Sequence, residues 1–225
     1  MRSFSSRPDT AVLDEPFYAH YLEHTGIDHP GRREVIGAYE TDWRKVVKFI
    51  TGPIPEGKLI WYQKHMAHHM LGHIDVQRLV ENDTLTHTFL IRHPLPVIAS
   101  YTKVHGNMTL LETGLPYQAD LFERVRKSSR ITPPVIDARD LLIDPSKVLA
   151  RLCQALGIEF TDRMLSWAAG PHSNDGNWGK HWYASVYNST GFEKYEQKNV
   201  KIAPRFEGML GEARKLYDQL AAHKL

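Results

Sequence analysis

An α/β fold, with helices on both faces of a mainly parallel sheet, is what the order of elements in this 225-residue chain predicts. Two stretches carry that prediction. In "THTFLIRHPLPVIASYTK" (86–103) a β-branched, apolar run ends in Arg92, and a helix opens behind prolines. In "PPVIDARDLLIDPSKVLARLCQALGI" (133–158) a strand, a loop and a second amphipathic helix follow one another. A repeated strand-then-helix order places strands side by side and parallel, because each helix returns the chain to the same sheet edge.

Taken in order, "DTAVLDEP" predicts a short strand ending at Asp14-Glu15-Pro16. Within "EVIGAYETDWRKVVKFITG" a helix brings Trp43, Val46, Val47 and Ile50 to one face, and Gly52 ends it. "KLIWYQKH" is a second strand, and "HMAHHMLGHI" begins either a helix or an ordered loop. The strand from Thr88 to Ile91 is expected to be buried, with Arg92 at its carboxyl end, the edge where open α/β sheets bind ligands. A helix from Pro96 to Lys103 then places Ser100 about a turn inside it, able to face the same ligand. A guanidinium fork and a rotatable hydroxyl together suit a phosphate. "LPYQADLFERVRKSSR" (115–130) is a further helix. Pro145 opens the next behind Asp144 as its cap, and Leu149, Leu152 and Leu156 form its buried stripe. "AAGPHSNDGNWGKHW" (168–182) is a long irregular segment of the kind that often carries function.

With 42% hydrophobic and 24% charged residues the chain can bury one substantial core, most simply as one domain over residues 1–225. A net charge of +2 gives no electrostatic reason to expect nucleic acid or a membrane as partner. The single cysteine, Cys153, excludes an internal disulfide and reads as helix core, which fits a reducing cytoplasm. No apolar run approaches the roughly 18 residues that span a bilayer, and "MRSFSSRPDT" lacks the apolar middle of a signal peptide.

The Arg-x-Pro-x5-Ser spacing of Arg92, Pro94 and Ser100 resembles the 3'-phosphate-binding segment of P-loop-type sulfotransferases, which use 3'-phosphoadenosine 5'-phosphosulfate (PAPS) as donor. Asp140, Leu141, Asp144, Pro145, Leu156, Gly157 and Ile158 match a structural stretch of the same family. The likeness extends from Met1 to about Phe192 and implies a three-layer fold, sulfuryl transfer to a hydroxyl or amine of a small molecule, and Arg92 and Ser100 as holders of the nucleotide's 3'-phosphate. It also implies roles for three residues at the strand ends. Glu15, in a Glu-Pro setting similar to that of catalytic glutamates in several sulfotransferases, would be the base. His65 is the competing base, and Lys64 would neutralise the bridging oxygen of the leaving phosphate. The Lys64-His65 pair resembles a Lys-x-His element but lacks its spacer, so strand alternation lets only one of the two face the cleft. "DGNWGKHWYASVYNSTGFEKY" is similar to the segment that closes over the nucleotide. By that match Trp178 would stack on adenine and Lys180 would approach phosphate, although the Arg-Lys-Gly that opens the family's version is absent.

His65, His68, His69 and His73 raise the question of a metal, since spacings of four would align three of them on a helix. No carboxylate or cysteine completes a site and no His-Glu-x-x-His occurs, so these rings are expected to line an acceptor pocket with Met66 and Met70, without a metal. Proton transfer and cationic neutralisation suffice for the chemistry. The family's first strand and glycine-rich phosphate loop have no counterpart; "MRSFSSRPDT" reads as the tail of the helix that follows that loop, which predicts a further segment upstream of Met1. A non-catalytic nucleotide- or partner-binding protein of the same fold is the alternative. A small-molecule phosphotransferase is the third reading, disfavoured because no Gly-x4-Gly-Lys-Ser/Thr occurs.

Overall fold

The computed structural model describes residues 1–128, 132–197 and 199–225. The chain is α/β, its two named strand pairs are both parallel, and it divides into two compact units, 1–84 with 160–193 and 85–159 with 194–225. Each unit is built on one pair.

In the first unit β1 (Thr10–Asp14) lies beside β2 (Ile60–Lys64) in a register that sets Thr10 against Ile60 and Asp14 against Lys64. The ladder continues one residue further, the Glu15 N–H donating to the Lys64 carbonyl at 2.8 Å. Three helices make the crossover: Tyr18–Thr25, Arg32–Ala38 and Trp43–Ile50. Asp42 caps the last of these by accepting from the Arg44 N–H, and Val46, Val47 and Ile50 form its buried stripe as the helical spacing requires. Tyr18, Ala19, Leu22, Val35 and Trp178 form a buried apolar cluster of this unit.

"HMAHHMLGHI" resolves into a 3-10 turn, Ala67–His69, followed by loop. A three-residue turn cannot carry a 3.6-residue period, so His65, His69 and His73 do not share a helical face. The irregular segment 168–182 holds one four-residue helix at its end, Gly179–Trp182, and a second, Ala184–Tyr187, follows it.

In the second unit β3 (Phe89–Ile91) pairs with β4 (Val135–Asp137), Ile91 opposite Asp137. Phe89 and Ile91 are buried but Leu90 is 56% exposed, so β3 has one covered face rather than the two expected of it. The following helix starts at Pro94, two residues earlier than its prolines suggested, because the His93 side chain caps it by accepting from the Leu95 N–H. Ser100 therefore stands about two turns inside, seven residues beyond His93 and on the same helical face. Between β4 and the Pro145–Ala155 helix the expected loop is another helix, Ala138–Ile143, nucleated by Asp137 accepting from the Arg139 N–H at 2.7 Å.

Asp144 caps the Pro145–Ala155 helix, and Leu149, Leu152 and Cys153 are its buried residues; Leu156 is only partly covered at its end. The helix Leu115–Ser128 follows its sequence pattern, with Ser129 and Arg130 of that expectation outside the described residues. A 15-residue helix, Glu207–Ala221, packs on the Leu115–Ser128 and Pro94–His105 helices. Among the described residues no helix is long and apolar enough to cross a membrane.

Candidate functional site

Parallel strands point their carboxyl ends the same way, and in each unit the ionisable residues gather there. In the first unit the register that opposes Asp14 to Lys64 brings two carboxylates to one ammonium. Lys64 Nζ donates to Glu15 Oε1, to Asp14 Oδ1 at 3.4 Å and to the Tyr183 hydroxyl at 3.2 Å. Tyr183 in turn donates to Asp14 Oδ2 at 2.7 Å and receives the Trp178 Nε1–H at 3.3 Å.

Burial pushes the Glu15 carboxyl above its ordinary value, although the Lys64 charge works against that rise. Burial also opposes the charge on Lys64, but Glu15 and Asp14 outweigh it and hold the ammonium above its ordinary value. The Tyr183 phenol is pushed far up, first by burial and then by the two carboxylates, so it stays a donor. Glu15 is a carboxylate held ready to take a proton, with a cation that stays charged beside it.

Glu15 is also the one non-glycine residue with positive φ among the described residues, at 41°. A β-carbon crowds the backbone there, and such conformations cost about 1–3 kcal/mol. Bonds on both sides hold it: its N–H goes to Lys64, and its carbonyl accepts from Tyr18 at 2.9 Å.

His65 stands just past β2, its Nε2 3.2 Å from Gln63 Oε1 and its ring against Phe17. His69 lies closer to the carboxylates. Its ring stacks between Tyr18 and Tyr21, and its Nδ1, 3.8 Å from Glu15 Oε2, is buried without a hydrogen bond among the described residues. Burial, followed by the charges of His68 and Lys64, holds His69 well below the usual histidine range.

The sign of the resulting pH dependence follows from linkage. The native state keeps this ring neutral while the unfolded chain protonates it near pH 6.5, so its contribution to stability is complete above about 6.5 and is lost as pH falls towards the lower native value. Thermal or urea unfolding measured from pH 7.5 to 5 is expected to show stability falling by up to about 1.4 kcal/mol per pH unit from this group. His69→Phe should flatten that part of the curve. An unchanged slope in the variant would assign it to other groups.

In the second unit Arg92 follows β3 directly and Ser100 lies on the helix behind it; both are exposed, and neither side chain makes a hydrogen bond or ion pair among the described residues. The neighbouring strand end is engaged: Asp137, 2% exposed, accepts from the Tyr217 hydroxyl and lies 3.8 Å from Lys224 Nζ. Further along the Pro94–His105 helix a shallow pocket of about 310 Å³ is lined by Lys103, Gly106, Lys201, Arg205 and Phe206 among others. Three of these residues are cations, and none was singled out by the sequence reading.

Trp178 and Lys180 take up other positions. Trp178 is 2% exposed in the core of the first unit, with the Tyr18 edge at 5.1 Å and Tyr39 at 5.2 Å, so its ring is already packed. Lys180 forms an exposed ion pair with Glu34 at 2.6 Å. Asp14, Tyr183 and His69 are the members of the Glu15 network to which sequence reasoning gave no role in the chemistry. Asp14 and Lys64 end two strands, which was the available signal for them; Tyr183 lies in the stretch similar to the segment that closes over the nucleotide, but nothing sets it apart from the other aromatic residues there.

A family model described as "Sulfotransferase domain" matches residues 1–223. Two relatives from Arabidopsis thaliana, branched-chain-amino-acid aminotransferase-like proteins 1 and 2, are 37% identical over 225 residues and 35% over 226. Each alignment covers 99% of this chain but 39% of the relative, so the chain spans about two fifths of their length. Among solved structures, the sulfotransferase domain from the curacin biosynthetic pathway aligns with a TM-score of 0.47 at 14% identity, covering 88% of this chain and 77% of that one. The sulfotransferase domain of the Synechococcus PCC 7002 olefin synthase aligns with a TM-score of 0.48 at 13% identity, covering 94% of each chain.

Proposed function

The chain belongs to the sulfotransferase domain family, and from that premise we propose that it transfers a sulfuryl group from PAPS to a hydroxyl or amine of a small molecule. The observation that carries the reading is the partly buried Glu15–Lys64–Asp14 network at the carboxyl end of β1 and β2. With both carboxylates ionised the three side chains carry one net negative charge, and a proton on Glu15 brings them to neutrality.

In the reaction the acceptor oxygen or nitrogen forms a bond to sulfur as the bond from sulfur to the bridging phosphate oxygen breaks, and the electron pair leaves with adenosine 3',5'-bisphosphate. Glu15 takes the acceptor's proton. Burial favours that step by disfavouring the carboxylate. As Glu15 is neutralised, Lys64 loses one of its two carboxylate partners and its charge becomes available to the leaving oxygen. Tyr183 holds Asp14 and Lys64 in place without titrating.

Arg92 and Ser100 suit the donor's 3'-phosphate, since both are exposed and unengaged where a strand gives way to a helix. The names of the plant relatives describe proteins more than twice as long and give this chain no further activity.

Incubating the chain with labelled PAPS and a panel of small alcohols and amines, then following label into product, tests the reading. Transfer to at least one acceptor is expected. Binding of adenosine 3',5'-bisphosphate without any transfer would instead assign a non-catalytic nucleotide-binding role, and absence of both would remove the proposal.

A further inference from the structure

Away from the Glu15 network, three imidazoles converge. His20 and His24 lie four residues apart on the Tyr18–Thr25 helix, and His73 reaches them from the loop behind the Ala67–His69 turn. One ring nitrogen from each lies within 4.8 Å of the other two. We propose that His20, His24 and His73 bind a divalent transition-metal ion of the zinc class, with a water at the fourth position.

His20 is the prepared ligand. It is 4% exposed, and its Nδ1 lies 2.6 Å from the Thr41 carbonyl oxygen, which can only accept. Nδ1 therefore carries the proton, and the lone pair is on Nε2, the nitrogen that faces His73. An outer partner of this kind fixes the tautomer of histidines that ligate metals. His73 Nε2 is 2.9 Å from His20 Nε2. Nitrogens about 2.0–2.1 Å from a tetrahedral ion stand roughly 3.3–3.4 Å apart, so the pair has to open by only about half an ångström.

His24 closes the third side, its ring 4.1 Å from that of His73 and 5.3 Å from that of His20. The i, i+4 spacing of His20 and His24 puts both on one helical face, and the helix supplies the rigidity that a ligand pair needs. His24 and His73 are exposed, so an ion has access from solvent.

No carboxylate belongs to the cluster. Three imidazole nitrogens match the borderline-soft ions zinc, cobalt, nickel and copper rather than magnesium or calcium, which prefer oxygen.

The ion would join two segments that matter to the site. The Tyr18–Thr25 helix begins three residues after Glu15, and His73 follows His69 by four. The metal takes no part in sulfuryl transfer; it clips the chain leaving β1 to the chain leaving β2.

Tag-free protein stripped with chelator is titrated with Co²⁺ and, separately, with Zn²⁺. One equivalent is expected to bind, with the visible absorption of four-coordinate, nitrogen-ligated cobalt that zinc then abolishes. At about a hundredfold excess over its Kd the metal should raise Tm by roughly 5–10 °C. His24→Ala and His73→Ala each remove an exposed ring, so the fold should survive, and each should weaken binding about tenfold or more. His105→Ala, in the other unit, should change nothing. Absence of binding, or binding in His24→Ala and His73→Ala as tight as in the unaltered chain, would overturn the proposal.

Discussion

Replacing Glu15 with glutamine is expected to lower kcat by about 10²-fold or more and to leave donor affinity close to its starting value. Glutamine keeps the shape and the acceptor oxygen that receives the Lys64 ammonium, and it loses the capacity to take a proton. Lys64 still has Asp14 and Tyr183, so the site should hold together and the loss should fall on the chemical step. His65→Asn should do less. His65 hydrogen-bonds Gln63 of the strand it follows, and it is Glu15, not His65, that holds the ion pair with Lys64. Steady-state kinetics of both variants with PAPS decide the matter: a deeper loss in His65→Asn would make His65 the base and Glu15 a structural carboxylate.

Thermal shift should distinguish adenosine 3',5'-bisphosphate from AMP, the first protecting the chain more, and Arg92→Ala should abolish the difference. A charge-assisted phosphate contact contributes about 1.5–3 kcal/mol, which corresponds to roughly tenfold or more in affinity. Arg92 is exposed and supports no other residue through a side-chain bond among the described residues, so its removal should spare the fold. Equal protection of the unaltered chain by the two nucleotides would remove the 3'-phosphate assignment. If Arg92→Ala kept the difference and Lys201→Ala lost it, the phosphate would belong to the basic pocket along the same helix.

The elements legible in the sequence were those whose signals are local. Val46, Val47 and Ile50 declared their helix through spacing, Asp144-Pro145 through capping, and Arg92 its place after a strand through the apolar run before it. What escaped depended on partners far along the chain. That Asp14 would meet Lys64 is set by strand register, and that Tyr183 would reach both is set by a loop folded back across 169 residues of sequence from Asp14. The histidines show the same division: four-residue spacing suggested His65, His69 and His73 as one face, but a 3-10 turn dissolved that face. His20 and His24, spaced alike on a true helix, went unremarked because their third partner lies 53 residues from His20.

The backbone at Glu15 separates what folding wants from what chemistry wants. Glycine would sit at φ 41° with no crowding, and asparagine with little, so nothing in the assembly of β1 recommends a glutamate at that turn. Its side chain, moreover, is nearly buried beside a second carboxylate. The position is therefore one where a search for greater stability would replace the residue first, and where a thermally improved variant of this chain is most apt to be an inert one.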